Sequence, residues 1–361
     1  MGCSVAYHLT LLGWSDVVLL EQNKLTSGTT WHAAGLVGQL RNSESLTRIA
    51  AYAIDLYARL EEETGYATGF KQNGAITIAQ SKNRLMELQR HTAMAEAYGI
   101  ECHTIDRHEI KKKWPLANVS DLVGGVWLPQ DGQTNPTDTT LALAKGARMG
   151  GVKIFEDVAV RKIEKVNKSV SGVITDFGNI QCEKVIACAG LWTRELAHNI
   201  GLRVPLHASE HMYIVTEPMD LVPRDLPVLR DYDSRLYFKE DAGKLLIGLF
   251  EDNAKPWGTV GIPEGHAFAL FDSDWGHFAP YMDKAIKRLP ALNNTGIRQF
   301  LNGAESFTPD NRYILGEVPG LRNFFVGAGF NSIGIASAAG AGKALAEWVV
   351  DGAMPLDLWE V

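Results

Sequence analysis

The stretch Gly2-Cys3-Ser4-Val5-Ala6-Tyr7-His8-Leu9-Thr10-Leu11-Leu12-Gly13, followed by Trp14-Ser15-Asp16 and Val17-Val18-Leu19-Leu20-Glu21, decides the fold. Val5, Leu9 and Leu12 recur at helical spacing from Gly2, and Gly13 supplies a C-terminal stop. Trp14-Ser15-Asp16 turns the chain. Val17 to Leu20 is a short unbroken apolar run, the pattern of a buried parallel strand, and it closes on Glu21. A helix, a tight turn and a buried strand ending in an acid form the second half of a Rossmann βαβ unit. There the acid accepts hydrogen bonds from the ribose hydroxyls of a dinucleotide. The expected spacing of about 20 residues from the glycines to that acid is met by Gly2 and Glu21. Gly2 then takes the place of the third glycine in G-x-G-x-x-G. On this segment alone an ordinary αβ start, with a solvated Glu21, fits equally well.

The residues downstream separate the two readings. Leu25-Thr26-Ser27-Gly28-Thr29-Thr30-Trp31-His32-Ala33-Ala34-Gly35-Leu36 comes soon after Glu21. Further along stand Asp131-Gly132-Gln133 with Asn135-Pro136, Ala187-Cys188-Ala189-Gly190, and Thr308-Pro309-Asp310 through Gly342. Together these motifs resemble the FAD-linked sarcosine and dimethylglycine dehydrogenases of the D-amino-acid-oxidase-like flavoprotein superfamily. The resemblance runs nearly end to end, and T-W-H-A-A-G is its most specific part.

The resemblance implies a mixed α/β (α+β) fold, with a discontinuous Rossmann-like FAD-binding domain and an antiparallel-sheet substrate domain. It implies that His32 carries the flavin covalently through the 8α-methyl group, an electrophilic position that an imidazole nitrogen can attack. The other cofactor contacts it implies are Gly2, Glu21, Thr29, Thr30, Gly35, Leu36, Val160, Ala189, Gly190, Gly327, Gly329, Asn331, Gly334 and Ile335. The activity implied is oxidative demethylation of sarcosine or dimethylglycine, as in glycine betaine breakdown. Hydride leaves the N-methyl carbon for FAD, and the iminium is hydrolysed to formaldehyde and the demethylated amine. The electron acceptor would be oxygen, an electron-transfer flavoprotein or a quinone. Tetrahydrofolate would enter only with a C-terminal aminomethyltransferase-like region.

Two departures lead us to expect a fragment of the flavin-dependent half, with weak FAD retention on its own. The first strand and phosphate-binding glycines do not precede Gly2. The sequence also ends at Asp357-Leu358-Trp359-Glu360-Val361, where long family members continue. The expected location is the cytoplasm of a bacterium or the mitochondrial matrix of a eukaryote. A second reading is a non-catalytic regulatory subunit, since the regulatory subunit of pyruvate dehydrogenase phosphatase resembles the same family. The intact Thr30-Trp31-His32 favours the enzyme, because a purely regulatory copy has no need of a flavin tether.

Composition agrees with a folded protein of two domains. The 361 residues are 46% hydrophobic and 21% charged, enough apolar surface for a core. A net charge of −7 without a basic block excludes a nucleic-acid partner. No apolar run reaches the roughly 18 residues of a membrane span. The four cysteines Cys3, Cys102, Cys182 and Cys188 have no metal-type spacing and read as reduced packing residues. No Lys or Arg precedes Lys24, against a signal peptide, and Ala6 stands where myristoylation requires Ser or Thr.

Periodicity predicts helices over Leu46 to Glu63, Leu85 to Gly99 and Thr137 to Gly150, another from Asp274 to about Leu289, and one from about Ser332 to Val350. Strands are expected at Gly74 to Ile78, Lys153 to Phe155, Ala159 to Lys165, Ser171 to Thr175, Glu183 to Cys188 and Asn323 to Ala328. A hairpin joins Arg235-Leu236-Tyr237-Phe238-Lys239 to Leu245-Leu246-Ile247-Gly248 through Asp241-Ala242-Gly243. The FAD-binding domain is placed at 1–79, 128–205 and 301–361, and the substrate domain at 80–127 and 206–300. Gly340-Ala341-Gly342-Lys343 is not a phosphate loop, since Ser337 and Ala344 occupy two required positions. The N-terminus of the final helix, with its partial positive charge, is expected to face the flavin.

His207 and His211 lie in a predicted strand, where four residues span about 13 Å, so no metal is assigned. His211 is instead a candidate active-site group that accepts the substrate amine's proton, giving activity that rises through a group titrating near neutrality. The competing reading is a histidine bonded at a strand start. Tyr237 is a second candidate, with a cross-strand aromatic pair as its structural alternative. Arg41, in Gly38-Gln39-Leu40-Arg41, can grip a substrate carboxylate bidentately, or it is a surface arginine. Ala336 stands where related monomeric sarcosine oxidases carry a lysine that assists carboxylate binding.

Overall fold

A computed structural model describes residues 1–355 and Leu358; residues 356, 357 and 359–361, on which the reading of the chain's end partly rests, lie outside the described residues. The first helix, α1 (Gly2–Leu11), ends as expected at a left-handed Gly13, and β1 (Val18–Leu20) follows the turn. After β2 (Leu36–Val37) comes α2 (Glu44–Thr64), which starts before Leu46 because the Ser43 hydroxyl accepts from the Leu46 amide. Next are β3 (Ala75–Ala79) and α3 (Lys82–Ala97), again capped by a serine, Ser81. Then β4 (His103–Ile105), α4 (Arg107–Lys113) with an Asp106/Glu109 capping box, β5 (Gly124–Leu128) and β6 (Gly132–Gln133) lead to α5 (Pro136–Met149).

The strands β7 (Lys153–Phe155), β8 (Val160–Val166), β9 (Ser169–Thr175), β10 (Gly178–Gln181) and β11 (Val185–Ala187) precede the short α6 (Thr193–His198). Next, β12 (His207–Thr216), β13 (Val228–Asp231), β14 (Leu236–Asp241), β15 (Lys244–Leu249) and β16 (Pro256–Trp257) run to α7 (Trp275–Arg288). The chain closes with β17 (Ile297–Phe307), β18 (Ile314–Glu317), β19 (Phe324–Ala328) and α8 (Gly334–Asp351). The predicted β14–β15 hairpin forms with Ala242 and Gly243 both left-handed, as a two-residue turn requires.

One layer holds α1, α2, α5 and α8, packed through Tyr7, Ala53, Tyr57, Ala142, Ala147 and Ala339. Its strands form not the single parallel sheet of the Rossmann reading but separate hydrogen-bonded groups. β1 pairs in parallel with β7, and β11 pairs in parallel with β19, which pairs antiparallel with β18. The edge of β1 opposite β7 has no strand partner among the described residues.

The second layer is a nine-stranded sheet in the order β16-β12-β15-β14-β13-β3-β5-β4, with β17 along the other side of β12. The boundaries expected at 79 and 300 cut across it. β3 pairs with β13 and β5, and β17 pairs with β12 from Ile297 to Phe307, so both strands belong to this sheet along their whole length. One face, carrying Ile76, Met212, Ile214, Leu229, Phe238 and Ile247, is buried with Trp114 and Phe278 of α7. On the other face, register aligns Leu301, Tyr213, Gly248, Tyr237, Arg230, Thr77 and Val126 in one row across β17, β12, β15, β14, β13, β3 and β5. This second face looks toward the helical layer, since Tyr213, Tyr237, Leu246 and Leu301 pack with Ala34 and Leu36.

Helix α8 owes its position to its small residues. A Cβ on Gly340 would lie 2.2 Å from the Ile49 carbonyl oxygen, and one on Gly342 2.2 Å from Ser4 Oγ. Both glycines of the rejected phosphate loop are therefore helix-packing positions. Within a helix Gly→Ala ordinarily gains about 1 kcal/mol, whereas overpacking costs about 1–3 kcal/mol. Because the Gly340 obstacle is backbone, the clash should win. Gly340→Ala is expected to lower the urea midpoint; a raised midpoint would contradict this packing.

Candidate active site

The segment from His32 to Leu40 crosses the inner face of the large sheet almost strand by strand. A Cβ on Gly303 of β17 would fall 2.5–2.8 Å from three atoms of the His32 ring. The Lys239 ammonium of β14 donates to the Ala34 carbonyl at 2.8 Å. Beside Gly38, Arg230 of β13 reaches Asp131 Oδ2 at 3.4 Å, and Asp131 Oδ1 accepts from the Gln39 amide at 3.0 Å. Leu40 packs with the cluster of Ala79 and Val126. Gly35 is left-handed, and a Cβ there would lie 2.2 Å from the Thr134 carbonyl oxygen, so only glycine fits where β2 meets β6. The Asp131-Gly132-Gln133 motif thus anchors this segment.

His32 and His211 meet at Gly303, which stands opposite His211 in the β12–β17 ladder. His32 is 6% exposed, and burial pushes its imidazole below the ordinary value, leaving it neutral at neutral pH. His211 is different. Burial opposes its charge, but Glu305 and the hydrogen-bonded Glu251 outweigh burial and raise it to about 9. Its Nδ1 lies 3.1 Å from Glu251 Oε2 and 3.2 Å from Oε1. Burial pushes the Glu251 carboxyl up, yet the bond and charge of His211 hold it below its usual value. At neutral pH His211 is therefore already an imidazolium and cannot accept the amine's proton. That corrects the expectation of a base titrating near neutrality.

Tyr237 lies over Gly248, where a Cβ would be 1.9 Å from Cζ, and its ring centre is 5.1 Å from that of Phe250. The aromatic pair anticipated as its alternative role is formed. Burial first, and the charge of Glu305 second, raise its hydroxyl far above the ordinary value; Tyr213 is raised by burial, Asp241 and Glu305. Arg41 does not join these contacts. Its Nη1 donates to the Leu40 carbonyl at 3.0 Å, and its Nε is buried with no partner.

The remaining candidates divide into open and packed positions. Gly2 sits against Cys188 and Leu19, the close helix–strand contact of a third Rossmann glycine. Glu21 follows β1; its Oε1 accepts from the Asn23 amide at 2.9 Å, and burial raises its carboxyl. Gly190 is left-handed with open space around its Cβ position, beside Ala189 at the end of the β11 turn. Thr29 and Thr30 lie in the turns before His32, Leu36 in β2, and half-buried Val160 begins β8.

Gly327 packs on Leu345, Met1 and Cys188, and Gly329 on Thr308. Asn331 is a brace: its Oδ1 accepts from the Thr308 amide at 2.8 Å and its Nδ2 donates to Gly329 O at 2.7 Å. Gly334 and Ile335 open α8, whose N-terminus has no side-chain cap, and Tyr57 bonds the Ile335 carbonyl.

Sequence reading missed Glu251, Glu305, Tyr213, Lys239 and Arg230. Alternation of Ser209, His211 and Tyr213, set against Leu301, Gly303 and Glu305, was the available signal for the first two strands; Glu251 offered none. Among the described residues, Trp31 Nε1, Trp192 Nε1, Arg41 Nε and Glu305 Oε2 are buried without hydrogen-bond partners. Buried donors on Trp31 and Trp192, with Gly28 packed on Trp192 and Gly190 opening on space, fit a flat polar cofactor such as FAD.

Comparison with known proteins agrees. The family model described as FAD dependent oxidoreductase matches residues 1–348. The chain is similar to 4-methylaminobutanoate oxidase (formaldehyde-forming) of Paenarthrobacter nicotinovorans, 43% identical over 99% of this chain and 43% of that protein. It is similar to mitochondrial sarcosine dehydrogenase of Mus musculus, 41% identical over 99% of this chain and 39% of that one. The mitochondrial pyruvate dehydrogenase phosphatase regulatory subunit of Mus musculus is 40% identical over all of this chain and 41% of its own length. The chain thus spans about two fifths of these relatives. Among solved structures, L-proline dehydrogenase from P. horikoshii superposes with a TM-score of 0.88 at 23% identity, covering 98% of this chain and 91% of that one, a likeness of fold.

The His211 pair makes stability depend on pH. Its folded value of about 9 lies above the ordinary 6.5, so its stabilisation is complete below about 6.5 and is lost as pH rises through about 9. Urea unfolding at pH 6.5 and 9.5 should show a loss at the higher pH that is smaller in His211→Asn. An equal loss in both proteins would contradict the paired imidazolium.

Proposed function

The chain belongs to the FAD dependent oxidoreductase family, and from that membership we propose that it oxidises the N-methyl group of a small amino acid such as sarcosine or dimethylglycine. The observation that carries this reading is the neutral His32 ring seated on Gly303, beside a buried carboxylate cluster on the inner face of the sheet. FAD, when bound, supplies the two-electron acceptor for hydride from the N-methyl carbon. Residues suited to hold it are Glu21 at the ribose, Gly190 and Ala189 where backbone is open, and His32 as the covalent attachment. Burial keeps His32 neutral, so one ring nitrogen has a free lone pair, as a covalent attachment point would require.

The chain's own groups prepare the substrate. Tyr213, Tyr237, Leu246 and Leu301 make the floor apolar and keep water out. His211 is fixed as a cation by Glu251 and orients that edge of the site. The carboxylate grip proposed for Arg41 rests on its unsatisfied Nε, although Leu40 beside it packs at the β3–β5 end of the sheet, apart from the histidines; Arg230 is already committed to Asp131. The iminium product hydrolyses to formaldehyde and the demethylated amine, or passes to a folate-binding region. Electrons leave to oxygen, an electron-transfer flavoprotein or a quinone.

The regulatory-subunit reading keeps some weight from the 40% identity. His32 and a buried acid without a partner favour catalysis, since a regulatory surface needs neither.

Acid-precipitated flavoprotein should stay yellow, and His32→Ala should release its flavin; free release from the wild type would refute the tether. Arg41→Leu should reduce kcat/KM for an N-methylated amino acid by about 2–4 kcal/mol, with little effect on an N-methyl amine lacking the carboxylate. Equal losses for both substrates would show that Arg41 does not grip the acid.

A further inference from the structure

The inner face leaves one carboxylate oxygen without a partner of its own. Glu251 and Glu305 are two buried or half-buried acids, and His211 is the cation between them. Glu251 is satisfied by that imidazolium. Glu305 is not, since its Oε2 is shielded from solvent and has no hydrogen-bond donor among the described residues. The other charged groups nearby are already engaged or silent. Lys239 donates to the Ala34 carbonyl, Arg230 pairs with Asp131, and burial keeps His32 neutral. Tyr213 and Tyr237 stay protonated because burial and Glu305 both oppose their ionisation. A buried carboxylate oxygen with no partner costs about 1–3 kcal/mol or more, and a hydrogen-bond donor or a cation beside it removes the cost.

We propose that Glu305 is the binding group for the cationic nitrogen of the substrate, so that the site selects methylated ammonium ions over neutral groups of the same shape. Position supports this. Glu305 is two residues from Gly303 on β17, so its side chain leaves the same face on which the His32 ring lies. In the β12–β17 ladder Glu305 stands opposite Ser209, one same-face step along from the Gly303–His211 pair. When the bound ion carries an N–H, Glu305 is also the base: that N–H bond breaks, an O–H bond forms on the carboxylate, and the electron pair stays on nitrogen. His211, already protonated, cannot do this, and its charge keeps Glu251 from competing.

The inference rests on the proposed oxidation of an N-methylated amino acid, and its test separates the two. The probes are trimethylglycine and 3,3-dimethylbutanoate, which share a shape and a carboxylate and differ in the charge on the central atom. Neither has an amine lone pair, so neither can be oxidised through an iminium. Each is titrated into the flavin-loaded enzyme, and binding is read from the change in flavin absorbance. Wild type is expected to prefer trimethylglycine by about tenfold or more. Glu305→Gln should abolish the preference while 3,3-dimethylbutanoate binds at least as well, and Glu305→Asp should keep much of it.

Equal binding of the two probes by wild type would overturn the role of Glu305 and leave the proposed oxidation standing, even if the variants failed to fold. A preference that survives in Glu305→Gln would overturn it as well. If neither probe binds while FAD is in place, both the substrate class and the role of Glu305 fall together.

Discussion

A buried lysine holds the two layers of this protein in register. Lys239, 7% exposed, points from the middle of the large sheet and donates its ammonium to the carbonyl of Ala34. Burial lowers its basicity, so the position is costly and is tolerated because a main-chain acceptor meets the charge. Two residues before that carbonyl stands His32; two after it, β2 pairs with β6. With Asp131 gripping the Gln39 amide, the contact fixes a flexible glycine-rich segment as a bar across seven strands. His32, His211, Glu305 and Tyr237 all belong to the face that this segment crosses.

Two glycines make room for the rings beneath it. Gly303 receives the Cε1 side of the His32 ring, and Gly248 receives the hydroxyl end of Tyr237. In a β-sheet, side chains on one face stand about 5 Å from their cross-strand neighbours, too close for a ring to lie flat over an ordinary residue. Removing a Cβ at each point lets aromatic groups rest on the backbone itself. The sheet therefore contributes a floor between its acids, with His211 paired to Glu251 at one edge.

Much of this was legible in the sequence, for identifiable reasons. The opening helix, turn and parallel strand read correctly because apolar periodicity and Gly13 act locally, but the burial expected of that strand is not met: Val18 is exposed and Leu19 and Leu20 are half-buried. The β14–β15 hairpin read correctly because its turn needs residues that tolerate positive φ. His32 and His211 were visible as unusual side chains in recognisable settings. Their meeting was not, since it depends on the pairing of β12 with β17, which are some ninety residues apart in the chain. Protonation was equally hidden. Nothing near His211 in sequence announces Glu251 or Glu305, and those two acids turn it from a base into a fixed cation. The membership of β3 and β17 in the large sheet escaped for the same reason, because sheet partners are chosen by long-range contacts.

Flavin attachment tests the account most directly, and the sequence is convenient for it. Trypsin cleaves after Lys24 and Arg41, so His32 falls in the single peptide Leu25–Arg41. Peptide mass spectrometry of the yellow protein, with and without phosphodiesterase treatment, reads where the flavin is bonded. The account predicts the flavin mass on that peptide, with fragmentation placing it on His32 and the phosphodiesterase step shortening FAD to its FMN form in place. An unmodified Leu25–Arg41 peptide from fully yellow protein, or a flavin found on any other residue, would contradict it.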